Sequence, residues 1–183
     1  MKKLLPLLTL IIANIGFAQD NPEELNAFGR VNLGLHGLEL TYELPVANSF
    51  VWENSIGLGM GFSLYDNDVN YTFILEDPVP YFTSELKYMY NRKKRIKKGR
   101  STINNSGNYI GLQTKYSFGD NRFIDFSKTL LTEFHWGIQR PLGKRFLFDM
   151  HLGLGYIQDF DYDRGKLTPT LGFRLGYILF RNK

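Results

Sequence analysis

Large apolar side chains recur at every second position through most of this chain, most cleanly in 168–180, TPTLGFRLGYILF. Leu171, Phe173, Leu175, Tyr177 and Leu179 share one parity, and Thr170, Gly172, Arg174 and Gly176 share the other. A period of two is the signature of a β-strand with one face against a hydrophobic medium. The opposite face alternates glycine with charge. Glycine adds nothing to an exposed strand face, so its repeated use predicts an inner surface where neighbouring side chains need the room.

The same pattern predicts strands over 50–64, 81–90, 108–118, 129–140 and 144–158. In 50–64 the outward residues are Trp52, Ile56, Leu58, Met60, Phe62 and Leu64, against Glu53, Ser55, Gly57, Gly59, Gly61 and Ser63. Between Ala27 and Val46 the apolar parity shifts by one residue at His36 and Gly37, from Val31, Leu33 and Leu35 to Leu38, Leu40, Tyr42 and Leu44. A two-residue hairpin turn produces such a shift, and so does a β-bulge. Short connections (47–49 and 141–143) alternate with long ones (65–80, 119–128 and 159–166). With the short turns at one end, the strand that stops at Val46 needs an oppositely directed partner before it, which favours the hairpin. The expected fold is therefore all-β: an antiparallel up-and-down barrel of eight strands.

The N-terminus sets the compartment. Lys2 and Lys3, the apolar run Leu4–Ile15 and the small residues Gly16 and Ala18 follow the order of a secretory signal peptide. Residues 1–18 are expected to be removed near Ala18/Gln19, leaving one domain over 19–183. Cysteine is absent, which excludes a disulfide framework and any thiol nucleophile or thiolate metal site. After the leader no apolar run approaches the roughly 20 residues of a spanning helix. A mature chain that enters a membrane must do so as strands.

The signal peptide, the strands of alternating parity, the aromatics Trp52, Tyr88, Tyr90, Tyr116, Trp136 and Tyr177 near strand ends, and the terminal LGFRLGYILF resemble the small eight-stranded outer-membrane barrels of the OmpX and OmpA transmembrane-domain type. That resemblance implies a monomeric transmembrane barrel in the outer membrane, surrounded by outer-membrane lipid and lipopolysaccharide and inserted by the barrel-assembly machinery. In that family the last strand usually ends on an aromatic residue, whereas here Phe180 is followed by Arg181, Asn182 and Lys183.

A barrel of eight strands has an interior just wide enough to be filled by side chains. The predicted inward set includes Arg30, Glu39, Glu43, Glu53, Glu85, Lys87, Lys115, Glu133, His135, Asp149, His151 and Arg174. Charges removed from water must pair, so a salt-bridged plug and a structural or surface-interaction role are expected. If the 141–143 turn is a three-residue loop with Gly143 in the left-handed position, His135 faces Asp149 and Glu133 faces His151. Such carboxylate–imidazole pairs are the candidate catalytic groups of an alternative reading, a lipid A-modifying enzyme that resembles the PagL deacylases, although the closely spaced His-x-Ser of that family is absent. A narrow channel for small solutes is the third reading. The sequence calls for no cofactor and no dedicated metal site.

Seven basic residues, Arg92, Lys93, Lys94, Arg95, Lys97, Lys98 and Arg100, fall within nine positions. Export excludes a nucleic-acid role, which leaves either a solvated turn or a patch for anionic headgroups and polymers. The acidic residues Asp66, Asp68, Glu76, Asp77, Asp120, Asp125, Asp159, Asp161 and Asp163 gather instead in the connections of the opposite end.

Overall fold

A computed structural model of the protein describes residues 24–65, 68–72, 78–119 and 126–182, with the backbone alone over 61–72. The expected signal segment lies outside these residues. The strands are β1 (Ala27–Gly34), β2 (Gly37–Ala47), β3 (Phe50–Gly59), β4 (Gly61–Tyr65), β5 (Asp68–Thr72), β6 (Val79–Tyr88), β7 (Gly107–Ser117), β8 (Thr129–Leu142), β9 (Phe146–Asp159) and β10 (Arg164–Asn182). Eight of them close an antiparallel barrel in the order β1-β10-β9-β8-β7-β6-β3-β2, while β4 and β5, among the described residues, pair only with each other. Closure gives every barrel strand a neighbour on both sides, although β10 extends beyond β1 over residues 164–173, where, among the described residues, it pairs with β9 alone.

Alternation carries through to the two faces. Leu33, Ile56, Leu112, Phe134, Leu152, Leu154 and Leu171 point outward and are exposed, Phe134 to 62 % and Leu152 to 58 %. All twelve of the charged and imidazole residues assigned inward are buried. The barrel is thus inverted relative to an ordinary soluble fold, with its charges inside and its aliphatic groups outside.

Several expected boundaries shift. The parity change near residue 36 is a hairpin, as preferred, but Leu33 pairs with Leu38 and Gly34 with Gly37, so the two turn residues are Leu35 and His36. Gly37 takes φ 119°. The strand expected over 50–64 breaks at Met60, whose N–H bonds to the His36 carbonyl at 3.1 Å. A Cβ at Gly59 would collide with that same carbonyl. The chain then leaves the barrel wall as the β4–β5 hairpin, whose first strand is the end of the expected 50–64 strand and whose second lies inside a stretch (65–80) that had read as loop. The connection expected over 159–166 is also shorter, spanning only 160–163. Asp159 Oδ1 closes it by accepting from the N–H groups of Asp161 and Tyr162 at 2.9 and 3.2 Å.

The register of β8 against β9 corrects the expected His135–Asp149 and Glu133–His151 pairs. Leu142 pairs with Phe146, so the turn is Gly143–Arg145 and begins with Gly143 at φ 74°. His135 faces Gly153, Glu133 faces Gly155, Gln139 faces Asp149 and Gly137 faces His151.

The mouth ringed by the short turns is corked. Residues 91–106, expected as a solvated turn or patch, form the short helix α1 (Arg92–Lys97) and a 3-10 turn over Ile103–Asn105. Asn104 and Asn105, both with φ near 55°, reach back into the barrel. Asn105 Nδ2 donates to Glu43 Oε2 at 2.9 Å, and the Asn104 carbonyl accepts from Gln139 Nε2 at 3.0 Å. Asn105 also holds the backbone N–H and carbonyl of Asn26, each at 2.8 Å. Beneath this cork lie two small apolar clusters, Leu25, Val51, Met89 and Tyr109, and Phe28, Leu147 and Ile178.

Candidate functional site

Glu53 is the hub of the interior. Its Oε2 accepts from Lys87 Nζ at 2.6 Å and from Arg30 Nη2 at 2.7 Å, and its Oε1 accepts from Arg174 Nη1 at 2.8 Å. Around it Arg30 also binds Glu43 at 2.8 Å, and Arg174 also binds Glu39 and Asp149, each at 3.1 Å. Asp149 accepts in addition from Tyr109 at 3.0 Å and from Lys87 at 3.3 Å. These residues come from β1, β2, β3, β6, β7, β9 and β10, so the network ties the barrel together across its lumen as well as around its wall. Each charge has an oppositely charged neighbour at contact distance, which is the condition for tolerating it away from water.

A second group lies on β6, β8 and β9. His135 places Nε2 2.9 Å from Glu85 Oε1 and Nδ1 3.0 Å from Glu133 Oε1. His151 Nε2 stands 3.3 Å from that same Glu133 oxygen, and the two imidazoles are stacked with centroids 4.2 Å apart. Glycines of the inner face make room for the rings: a Cβ at Gly111 or Gly153 would collide with His135, and one at Gly172 with His151. The crowding expected from the glycine pattern therefore has a specific cause. Three of the four candidate catalytic residues, Glu133, His135 and His151, are brought together, whereas Asp149 belongs to the cationic network. All four are at most 3 % exposed, on the side of the wall away from the exposed apolar face.

The basic run divides in two. Arg92 is buried and donates to the carbonyls of Thr102, at 3.1 Å, and Glu24. Arg95 grips the Ser101 carbonyl through Nε at 3.2 Å and Nη2 at 2.7 Å. Burial lowers both guanidinium pKa values from their ordinary value. Lys93, Lys94, Lys97, Lys98 and Arg100 are exposed and form the outer surface of the cork. Beside it a groove of about 660 Å³ runs between α1 and the β2–β3 turn, lined by Pro45, Val46, Asn48, Arg92, Ile96 and Lys97 among others. Nothing in the spacing of the basic run distinguishes the cations that fold inward.

This division sets an expectation. Arg92→Ala strips buried carbonyls of their donor and should lower unfolding free energy by about 1–3 kcal/mol. Changing Lys93, Lys94, Lys97 and Lys98 together to Gln should shift it by less than about 0.5 kcal/mol per site, as expected for surface positions. Urea titrations of the refolded barrel in detergent would compare the two.

Comparison of the chain with protein-family models, with curated proteins and with solved structures finds no match. What can be said of its role therefore rests on the two surfaces and the interior of the barrel.

Proposed function

We propose that the protein is an integral outer-membrane β-barrel whose role is structural or one of surface interaction. The observation that carries this reading is the inverted distribution of polarity: a belt of exposed Leu, Ile, Phe and Trp around a wall whose other face is charged and buried. Contiguous apolar patches on soluble monomers rarely exceed a few hundred Å², whereas a lipid-facing barrel requires such a belt on every strand. Aromatic girdles support it. Near the corked mouth Phe50 stacks on Tyr88, Phe146 meets Tyr177 edge-on, and Trp136 Nε1 donates to the Tyr90 hydroxyl at 2.9 Å. Toward the other mouth Tyr116 packs against Phe118 and Phe160. Amphipathic rings favour the level of the headgroups.

The short-turn mouth, with its cork, faces the periplasm on this reading, and the longer connections face outward. The exposed lysines of α1 then meet the periplasmic side, where they attract anionic headgroups or polymers within about one Debye length. Ion pairs crossing the lumen favour a filled barrel over a narrow channel. A lipid A-modifying activity would need the Glu133–His135–His151 group on the apolar face, and it sits on the opposite one.

Because the chain has no cysteine, each introduced thiol is a unique probe. Tyr162→Cys, in the β9–β10 turn, should react with a membrane-impermeant maleimide on intact cells. Lys144→Cys, in the β8–β9 turn, should react only once the outer membrane is permeabilised. Recovery of the protein in the soluble periplasmic fraction, with both thiols equally reactive, would overturn the reading.

A further inference from the structure

Neither ring nitrogen of His151 has a hydrogen-bond partner among the described residues, although the side chain is 3 % exposed. Desolvating an imidazole without partners is costly, so an orphaned one deserves an explanation. Its Nε2 stands 3.3 Å from Glu133 Oε1, and His135 Nδ1 stands 3.0 Å from the same oxygen without completing a hydrogen bond to it. Two imidazole nitrogens and a carboxylate oxygen therefore converge, all within 4.8 Å of one another. A tetrahedral zinc ion with bonds of about 2.0–2.2 Å holds its ligand atoms about 3.3–3.6 Å apart. The two nitrogen–oxygen separations, 3.0 and 3.3 Å, lie near that span.

We propose that Glu133, His135 and His151 form an internal binding site for one late first-row divalent cation, of which zinc is the representative. Imidazole and carboxylate donors suit zinc and its neighbours rather than magnesium or calcium. His135 is already held for that role. Glu85 Oε1 stands 2.9 Å from its Nε2 and can accept an N–H there, the tautomer that leaves the Nδ1 lone pair for a metal ion. This is the carboxylate–histidine–metal arrangement by which protein metal sites orient an imidazole and raise its basicity.

His151 supplies the adjustable ligand. In the stack its ring lies 22° from the plane of His135, and an ion must lie near the plane of each ring that binds it. Uptake accordingly turns His151, which no hydrogen bond restrains, out of the stack. Charge permits it. Glu39, Glu43, Glu53, Glu85, Glu133 and Asp149 face Arg30, Lys87, Lys115 and Arg174 in the interior, an excess of two acids over bases when His135 and His151 are neutral, as metal ligation requires. A dication bound at Glu133 would offset that excess. His36, in the β1–β2 turn, lies within electrostatic reach of His151 and Glu133 but outside the ligand set.

The test uses the full chain in detergent micelles, stripped with EDTA and shown to be folded by its gel mobility before and after boiling. Titration with Co²⁺ should give a visible ligand-field band that saturates at one equivalent and is displaced by Zn²⁺. His151→Gln and Glu133→Gln should each abolish the band, Glu85→Gln should weaken binding about 10–100-fold, and His36→Gln should leave it unchanged. Folded wild-type protein that takes up no ion, or a band that survives in folded His151→Gln, would overturn the site.

Discussion

Replacing Glu53 by Gln is expected to cost the barrel about 3–5 kcal/mol of unfolding free energy, the penalty for leaving buried charges without their counter-ion. Lys87, Arg30 and Arg174 all bond to this one carboxylate at 2.6 to 2.8 Å. Glutamine keeps the volume and one carbonyl oxygen but cannot neutralise three cations. No rearrangement repairs the loss cheaply, since the other nearby acids already serve Arg30, Arg174 or Lys87. Urea unfolding of the refolded protein would measure the change. Pairing Glu53→Gln with Arg174→Gln separates loss of charge balance from loss of packing. The double variant should be less destabilised than the sum of the singles, because each removes part of what the other leaves unpaired. Strict additivity would mean that the interior is held by shape and not by its ion pairs.

The alternation along the chain was enough to assign the inner and outer faces, because a strand in a one-sided environment has no other way to arrange its side chains. Arg30, Glu53, Lys87 and Arg174 were each legible as inward-facing on that ground alone. Their partners were not. Lys87 reaches Asp149 across the lumen, 62 positions away in sequence, and a period of two carries no information about the angular position of a strand around a barrel.

The β8–β9 register shows a subtler limit. A slip of one residue would have moved every side chain to the wrong face, but advancing the turn by two residues on both strands preserves parity. His135 and Asp149 could therefore be assigned to the correct face and still be paired wrongly. Gly143 does adopt the left-handed conformation expected of it, but it opens the turn where it was expected to close it. The cork was hidden for a different reason. Seven cations in nine positions read as solvent-exposed, yet Arg92 and Arg95 spend their guanidinium groups on backbone carbonyls. Those acceptors are invisible in a sequence because every residue has one. At Met60 the period-two pattern continues unbroken into β4, so only the contact with the His36 carbonyl reveals where the strand leaves the wall.

The outer face offers the sharpest test, because the sign of the effect depends on the solvent it meets. Leu152 is 58 % exposed and its neighbour across the β9–β10 ladder is Leu171, 49 % exposed. On a water-facing surface Leu152→Lys would alter stability by less than about 0.5 kcal/mol, and would if anything raise solubility. Against hydrocarbon the same lysine should cost about 2–4 kcal/mol if the position lies near the bilayer midplane. The companion change Leu142→Lys, beside the turn of the corked mouth, should cost only about 0–1 kcal/mol, since the penalty fades toward the interface. Refolding both variants into phospholipid vesicles and measuring their denaturant midpoints against wild type gives the comparison. A depth-dependent penalty, large at 152 and small at 142, has no counterpart in water, where an exposed leucine is equivalent at either height. Equal and negligible effects at the two positions would place the belt against solvent, and the inverted polarity of the barrel would then need another protein surface to cover it.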